Sequence, residues 1–168
     1  MAQAPRIRLA FEDVSQLRPL YQTVIGEEHL DAMGHMNVMW YTHFFSEGMG
    51  TLLASVGLDW DKIRDHHGGT FALEGHVRFF SEVRVGQRVS VYARVIARSA
   101  KRYHVLQFMT NEDKQDVAAM YELVGAHVDL RQRRMAEMPK AVCDALDQEI
   151  LVSEQLAWDA PLTGIMSP

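Results

Sequence analysis

Asp31, Gly34, His35 and Asn37 fall within seven consecutive residues, immediately ahead of a long apolar-periodic run that ends at Gly57. A carboxylate so close to a helix start can serve as a nucleophile or as a general base. The unpaired amides of a first helical turn, reinforced by the helix dipole, favour an oxygen that is gaining negative charge. Gly34 has no side chain to obstruct an approach to those amides. Together these groups make the junction the candidate active site, although an aspartate in this position also serves plainly as a turn or capping acid.

A helix must hold that constellation, and one is written clearly. Val38, Tyr41, Phe45, Met49, Leu52 and Val56 follow steps of three and four and form an apolar stripe. Asn37 suits the N-cap and Gly57 a left-handed C-terminal cap. Ahead of it, the β-leaning run 20–30 is interrupted by Gly26, which predicts a bulge or bend. Behind it, 59–66 reads as a further helical turn or two and HHGG at 66–69 as a loop. The period then changes to two: Phe71, Leu73, Val77 and Phe79 alternate with Glu74, His76 and Arg78, the pattern of a half-buried strand. Val89, Val91, Ala93 and Val95 repeat it, with Arg88, Ser90, Tyr92 and Arg94 on the other face. Short links at 98–101 and 111–114 lead into strands near 103–110 and 117–130. The expectation is an α+β chain: a curved antiparallel sheet of about five strands with the one long helix as core filler. Residues 1–19 read as an N-terminal arm, 20–133 as the domain, and 134–168 as a short helix from Pro139 to about Gln148 followed by a tail.

Composition narrows the class without choosing a function. The 168 residues are 48% hydrophobic and 23% charged, ordinary for one globular domain. A net charge of -5 argues against general nucleic-acid affinity. Cys143 is the lone cysteine, so no disulfide can form within the chain. No window reaches the apolar length of a membrane span, and the cytoplasm is the expected location.

Asp31, Gly34, His35, Asn37, Tyr41 and Glu47 fit D-x-x-G-H-x-N-x-x-x-Y-x-x-x-x-x-E, and over residues 20–133 the chain resembles hotdog-fold acyl-CoA thioesterases of the 4-hydroxybenzoyl-CoA thioesterase type. It departs from that pattern at Val38 and Met39, and this variant is similar to the thioesterases of carnitine breakdown that act on betainyl-CoA. The resemblance implies hydrolysis of a small acyl-CoA, with Asp31 as the catalytic carboxylate, either nucleophile or base. Amides near Gly34 to Met36 and at the helix start would hold the oxyanion, Asn37 would orient the loop or a water, and His35 would hold the turn or contact the thioester. It implies no cofactor beyond the coenzyme A of the substrate. A homodimer or dimer of dimers is expected, with Glu74, His76 or Arg78 reaching the site from the partner.

Other candidates surround this core. Trp40, Tyr41, Phe44 and Trp60 are ordinarily hydrophobic mass, but could form a box for a trimethylammonium acyl group. Arg98, Lys101 and Arg102, or Arg131, Arg133 and Arg134, could meet coenzyme A phosphates, since arginine matches phosphate oxygens bidentately. The neighbouring His66 and His67 do not make a metal site, and no HExxH or Cys/His cluster exists in the sequence. Two further readings remain open: a dehydratase or hydratase working through His35 and Glu47, and a non-catalytic acyl-CoA-binding protein.

Overall fold

The computed structural model describes residues 9–59 and 68–168. The expected turns beyond Asp59, together with Trp60, His66 and His67, lie outside the described residues. The element order is α1 (Phe11–Val14), β1 (Tyr21–Val24), a 3-10 turn (Glu27–His29), α2 (Val38–Ser55), β2 (Gly68–Phe79), β3 (Arg88–Arg98), β4 (Arg102–Asn111), β5 (Asp116–Asp129), β6 (Arg134–Met135) and α3 (Lys140–Glu154). Gly26 marks the end of β1, so the expected longer strand gives way to the 3-10 turn. Gly68 and Gly69, expected in a loop, already pair with β5 as the first residues of β2.

Both predicted caps of α2 are present. Asn37 Oδ1 accepts the Met39 amide at 2.9 Å. At the other end Gly57 has φ +93°. The Gly57 amide donates to the Ala54 carbonyl, and the Leu58 amide to the Leu53 carbonyl, the paired bonds of a Schellman motif. Tyr41, Phe45, Met49, Leu52 and Val56 are buried as the spacing requires, but Val38 is 58% exposed. Phe44, Gly48 and Leu53 are buried as well, because a curved sheet covers a wider arc of the helix than one stripe.

The five main strands form a single antiparallel sheet in the order β1-β3-β4-β5-β2, with β6 paired to β5. The sheet wraps α2, as the hotdog architecture implies. Gly48 marks the closest approach: a Cβ there would meet Val91 Cγ1 at 2.6 Å. The helix side of the sheet buries one cluster around Met49, Leu52, Val95, Val105 and Leu123, and another around Phe44, Phe45, Val89, Val91 and Met109. Val142 and Leu146 of α3 close the first cluster, so the C-terminal helix runs further than expected and is anchored in the core.

The outer side of the sheet is covered too, which corrects the expectation of a polar face on β3. Ser90, Tyr92 and Arg94 are buried because α1 and the C-terminal segment lie over them. Val14, Tyr92, Leu106, Phe108, Val117 and Met120 pack there with Leu9, Trp158 and Ala160. The Arg94 guanidinium donates to the carbonyls of Ser153 (2.7 Å) and Trp158 (2.8 Å) and lies 4.3 Å from the Trp158 ring centre.

β2 also departs from its pattern. The register shifts between Ala72 and Glu74, so a bulge at Leu73 reverses which side chains face the helix. Val77 joins the helix-side core and Phe79 meets Tyr41. Phe71 is 64% exposed, because β2 is an edge strand with β5 as its one neighbour in the sheet. Among the described residues no helix is long and apolar enough to cross a membrane.

Candidate active site

The loop 31–36 is closed by a bridge between Leu30 and Met36. Inside it, the Asp31 amide donates to the His35 carbonyl and the Gly34 amide to the Asp31 carbonyl, each at 3.0 Å. Gly34 takes φ +80° to make the turn, a region costly for residues with a Cβ. The loop is tied to the sheet where the Met36 amide donates to the Val83 carbonyl at 2.7 Å, and to the 3-10 turn where the Asn37 amide donates to the His29 carbonyl at 2.9 Å.

The Asp31 side chain is fixed at both oxygens. Oδ1 accepts the Met33 amide at 2.8 Å, and Oδ2 lies 3.3 Å from His35 Nδ1. The carboxylate remains 21% exposed, so it faces an approach from solvent rather than the core. The amides do not divide as expected. Those of Gly34 and Met36 are spent on closing the loop, and that of Met39 on the cap. Among the described residues, the amides of His35 and Val38 make no hydrogen bond, which leaves these two for an oxyanion.

Asp31, His35, Met36, Asn37 and Tyr41 line one hollow of about 510 Å³ with Phe79, Phe80, Ser81 and Glu82. Periodicity marks Phe79 as a strand residue but does not assign the second wall, 79–82, to the site. That wall reaches the loop through the Met36–Val83 bond and through the Tyr41 hydroxyl, which donates to the Ser81 carbonyl at 3.3 Å. Burial raises the Tyr41 phenol above its ordinary value, partly offset by a backbone hydrogen bond from Val83, so it stays neutral at physiological pH. The doubled phenylalanine and the glutamate that follows are the available signals in the sequence. Nothing local says which loop they face.

Other candidates lie elsewhere. Trp40 packs on His29 at 4.5 Å between ring centres and beside Phe44, which stacks on Tyr21 at 5.5 Å; neither Trp40 nor Phe44 lines the hollow. Glu74 is exposed on β2, and His76 and Arg78 are half-buried on the same strand. None of the three joins the hollow within one chain. Glu47 lies exposed on α2, about 15 Å along the axis from Asn37 at the helical rise of about 1.5 Å per residue.

The basic residues divide as well. Arg98 Nε and Nη2 donate to Asp147 Oδ1 and Oδ2 at 2.7 and 2.5 Å. This pairing raises the arginine and lowers the carboxyl from their ordinary values. Arg98 is therefore committed to α3. Lys101 and Arg102, with Arg131, Arg133 and Arg134, sit at the end of the sheet away from Asp31. The length of β3 separates the two ends by roughly 30 Å at about 3.3 Å per residue.

Comparison with known proteins bears on the family and the fold. The profile of the Thioesterase-like superfamily matches residues 25–146. The chain is 32% identical over 124 residues to the betainyl-CoA thioesterase of Pseudomonas aeruginosa, covering 73% of this chain and 77% of that one. It is 30% identical over 128 residues to the L-carnitine dehydrogenase/betainyl-CoA thioesterase of Agrobacterium fabrum, covering 76% of this chain but only 26% of that longer protein. In structure it is similar to a Staphylococcus aureus protein solved in complex with CoA, with a TM-score of 0.80 at 20% identity over 90% of this chain and 96% of that one.

Proposed function

The chain belongs to the Thioesterase-like superfamily, and we propose that it is an acyl-CoA thioesterase that releases a free acid and coenzyme A, with betainyl-CoA as the candidate substrate. The observation that carries the reading is a partly exposed carboxylate, Asp31, lining one hollow with His35 of the loop and Val38 at the start of α2, whose amides make no hydrogen bond among the described residues. The similarity to proteins named betainyl-CoA thioesterases supports the substrate.

The thioester carbonyl oxygen points at the His35 and Val38 amides, whose bonds shorten as it becomes an oxyanion. Asp31 either adds to the carbonyl carbon, giving a mixed anhydride that water opens, or takes a proton from the water that adds. In both routes the C–S bond breaks, coenzyme A leaves as thiolate and a proton neutralises it. His35 holds Oδ2, and Asn37 is committed to the cap, so its part is to fix the helix start. A single turnover in ¹⁸O-labelled water separates the routes, since only the anhydride route can leave label on Asp31.

The outer edge of β2 supports a homodimer. Twelve residues long and, among the described residues, unpaired along its outer edge, it exposes Phe71 and Leu73, a combination that monomers avoid. Two copies joined antiparallel through β2 set the second copy's Lys101 and Arg102 across from Asp31, about three strand spacings of about 4.8 Å away. That is a suitable span for the pantetheine arm, with the phosphates on the basic residues. Charge reversal at Lys101 and Arg102 then raises KM more than it lowers kcat.

Thiol release measured over a panel of acyl-CoA esters tests the activity, and binding without release from any member rejects it. A lyase using His35 and Glu47 is disfavoured because His35 lies in the loop ahead of α2 and Glu47 nearly three turns into that helix.

A further inference from the structure

We propose that the acyl end of the Asp31 hollow selects a quaternary ammonium group, with Phe79 and Phe80 as aromatic walls, Tyr41 packed behind Phe79, and Glu82 as the counter-charge. The proposal rests on the thioesterase reading of that hollow and assigns its specificity to residues other than the expected Trp40 and Phe44. The sign of the lining is the first observation. Asp31 and Glu82 are carboxylates, His35 is the one basic side chain in the lining, and among the described residues no lysine or arginine is present there. An anionic acyl group would meet two carboxylates and no strong base.

The second observation is the form of the wall. A trimethylammonium has no N–H to donate, so hydrogen bonds cannot recognise it; the electron-rich faces of aromatic rings can. The Phe79 and Tyr41 rings pack edge to face, 5.1 Å apart at 83°, and Tyr41 is only 4% exposed, so it backs the wall that Phe79 presents. Phe79 and Phe80 are 49% and 44% exposed, which leaves ring surface for a ligand. Tyr41 is held by its bond to the Ser81 carbonyl, so Phe79 rests on a fixed support.

Glu82 completes the site. Arg84 Nε and Nη2 both donate to Oε1, at 2.8 and 2.5 Å, leaving Oε2 without a hydrogen bond among the described residues. Lys114 lies behind it, with Nζ on the Glu82 carbonyl at 2.7 Å, and does not line the hollow. Glu82 therefore lines the same hollow as Phe79 and Phe80, while its cationic partners Arg84 and Lys114 do not.

Betainyl-CoA and 3,3-dimethylbutanoyl-CoA differ by one atom, nitrogen against carbon, with the same shape and a charge on only the first. The ratio of their kcat/KM values is measured for the wild type, for Phe79→Leu with Phe80→Leu, and for Glu82→Gln. Because both esters meet the same sample, the ratio is insensitive to partial loss of folded enzyme. The expected result is a preference of about tenfold or more for the cation in the wild type, falling by about tenfold in each variant, as the loss of a desolvated cation–π contact would give. A preference that survives in both variants overturns the assignment. Hydrolysis of both esters at equal rates by the wild type overturns cation selection and leaves the thioesterase reading standing. If neither ester turns over, the hydrolytic reading fails, and calorimetric titration with the non-hydrolysable thioethers S-(2-trimethylammonioethyl)-CoA and S-(3,3-dimethylbutyl)-CoA still decides the assignment by the ratio of their Kd values.

Discussion

Asp31 is held by a backbone amide on one oxygen and an imidazole on the other, so its orientation is set before substrate arrives. Asn at this position preserves the oxygen that accepts the Met33 amide but removes the charge. Asp31→Asn is expected to fold normally, judged by circular dichroism, and to lose at least about 10³-fold in kcat, in the range for removal of an essential base or nucleophile. Turnover near the wild-type level would remove Asp31 from the chemistry. Tyr103 makes a different prediction. Burial pushes its phenol up to about 12, against an ordinary 10.0, so the folded chain holds its proton where the unfolded chain releases it. The associated stability is complete below about pH 10 and is lost as pH rises towards about 12, by about 2–3 kcal/mol at about 1.4 kcal/mol per unit. Urea titrations of wild type and Tyr103→Phe across that interval should show the variant losing less stability; parallel losses would refute this account.

At the scale of elements, α2 is positioned by its two ends and by one small residue in its middle. Asn37→Ala removes the cap and is expected to lower stability by about 1 kcal/mol, read from the urea midpoint. Activity should fall more than this alone would explain, because the same cap fixes the amides beside Asp31. Gly48 sits where the helix comes closest to β3, and the contact of 2.6 Å for an added Cβ lies against Val91, a side chain within the sheet. Gly48→Val forces the helix outward and is expected to cost at least about 2 kcal/mol, even though it adds helix stiffness and apolar surface. An unchanged denaturation midpoint would show that the helix can shift freely. The bulge at Leu73 belongs to this scale too, since one extra residue decides that Phe79 faces Tyr41 rather than solvent.

For the molecule as a whole, the C-terminal segment makes the outer face of the sheet an interior. Arg94 holds the end of α3 and Trp158, while His104 Nε2 lies 3.0 Å from Glu122 Oε1 and Glu122 Oε2 accepts the Thr163 amide at 2.7 Å. Arg94→Ala is expected to cost about 2–3 kcal/mol, from two lost charge-assisted bonds and a lost ring contact, with a matching fall in Tm by calorimetry. With that face covered, the long free edge of β2 is the surface best suited to association. Light scattering is expected to give twice the chain mass, and Leu73→Lys to lower it to one; a wild-type monomer at all concentrations would exclude the β2 pairing.

The sequence by itself determined what depends on neighbours along the chain. The spacing of apolar residues, Asn37 and Gly57 bound α2 correctly, and their proximity placed Asp31 beside its first turn, because caps and helical periodicity act over only a few residues. The alternation in β2 and β3, with the short links that follow, likewise identified the strands. Tertiary structure decided the rest. Phe79, Phe80 and Glu82 joined the hollow through bonds such as that between Met36 and Val83, forty-seven positions apart in the chain. Arg98 was claimed by Asp147, Trp40 and Phe44 turned to His29 and Tyr21, and the outer face of β3 was buried by a tail with no period of its own. Each depends on strand register, on a bulge or on which distant segment covers a surface, and a local pattern carries no information about partners that only folding brings into contact.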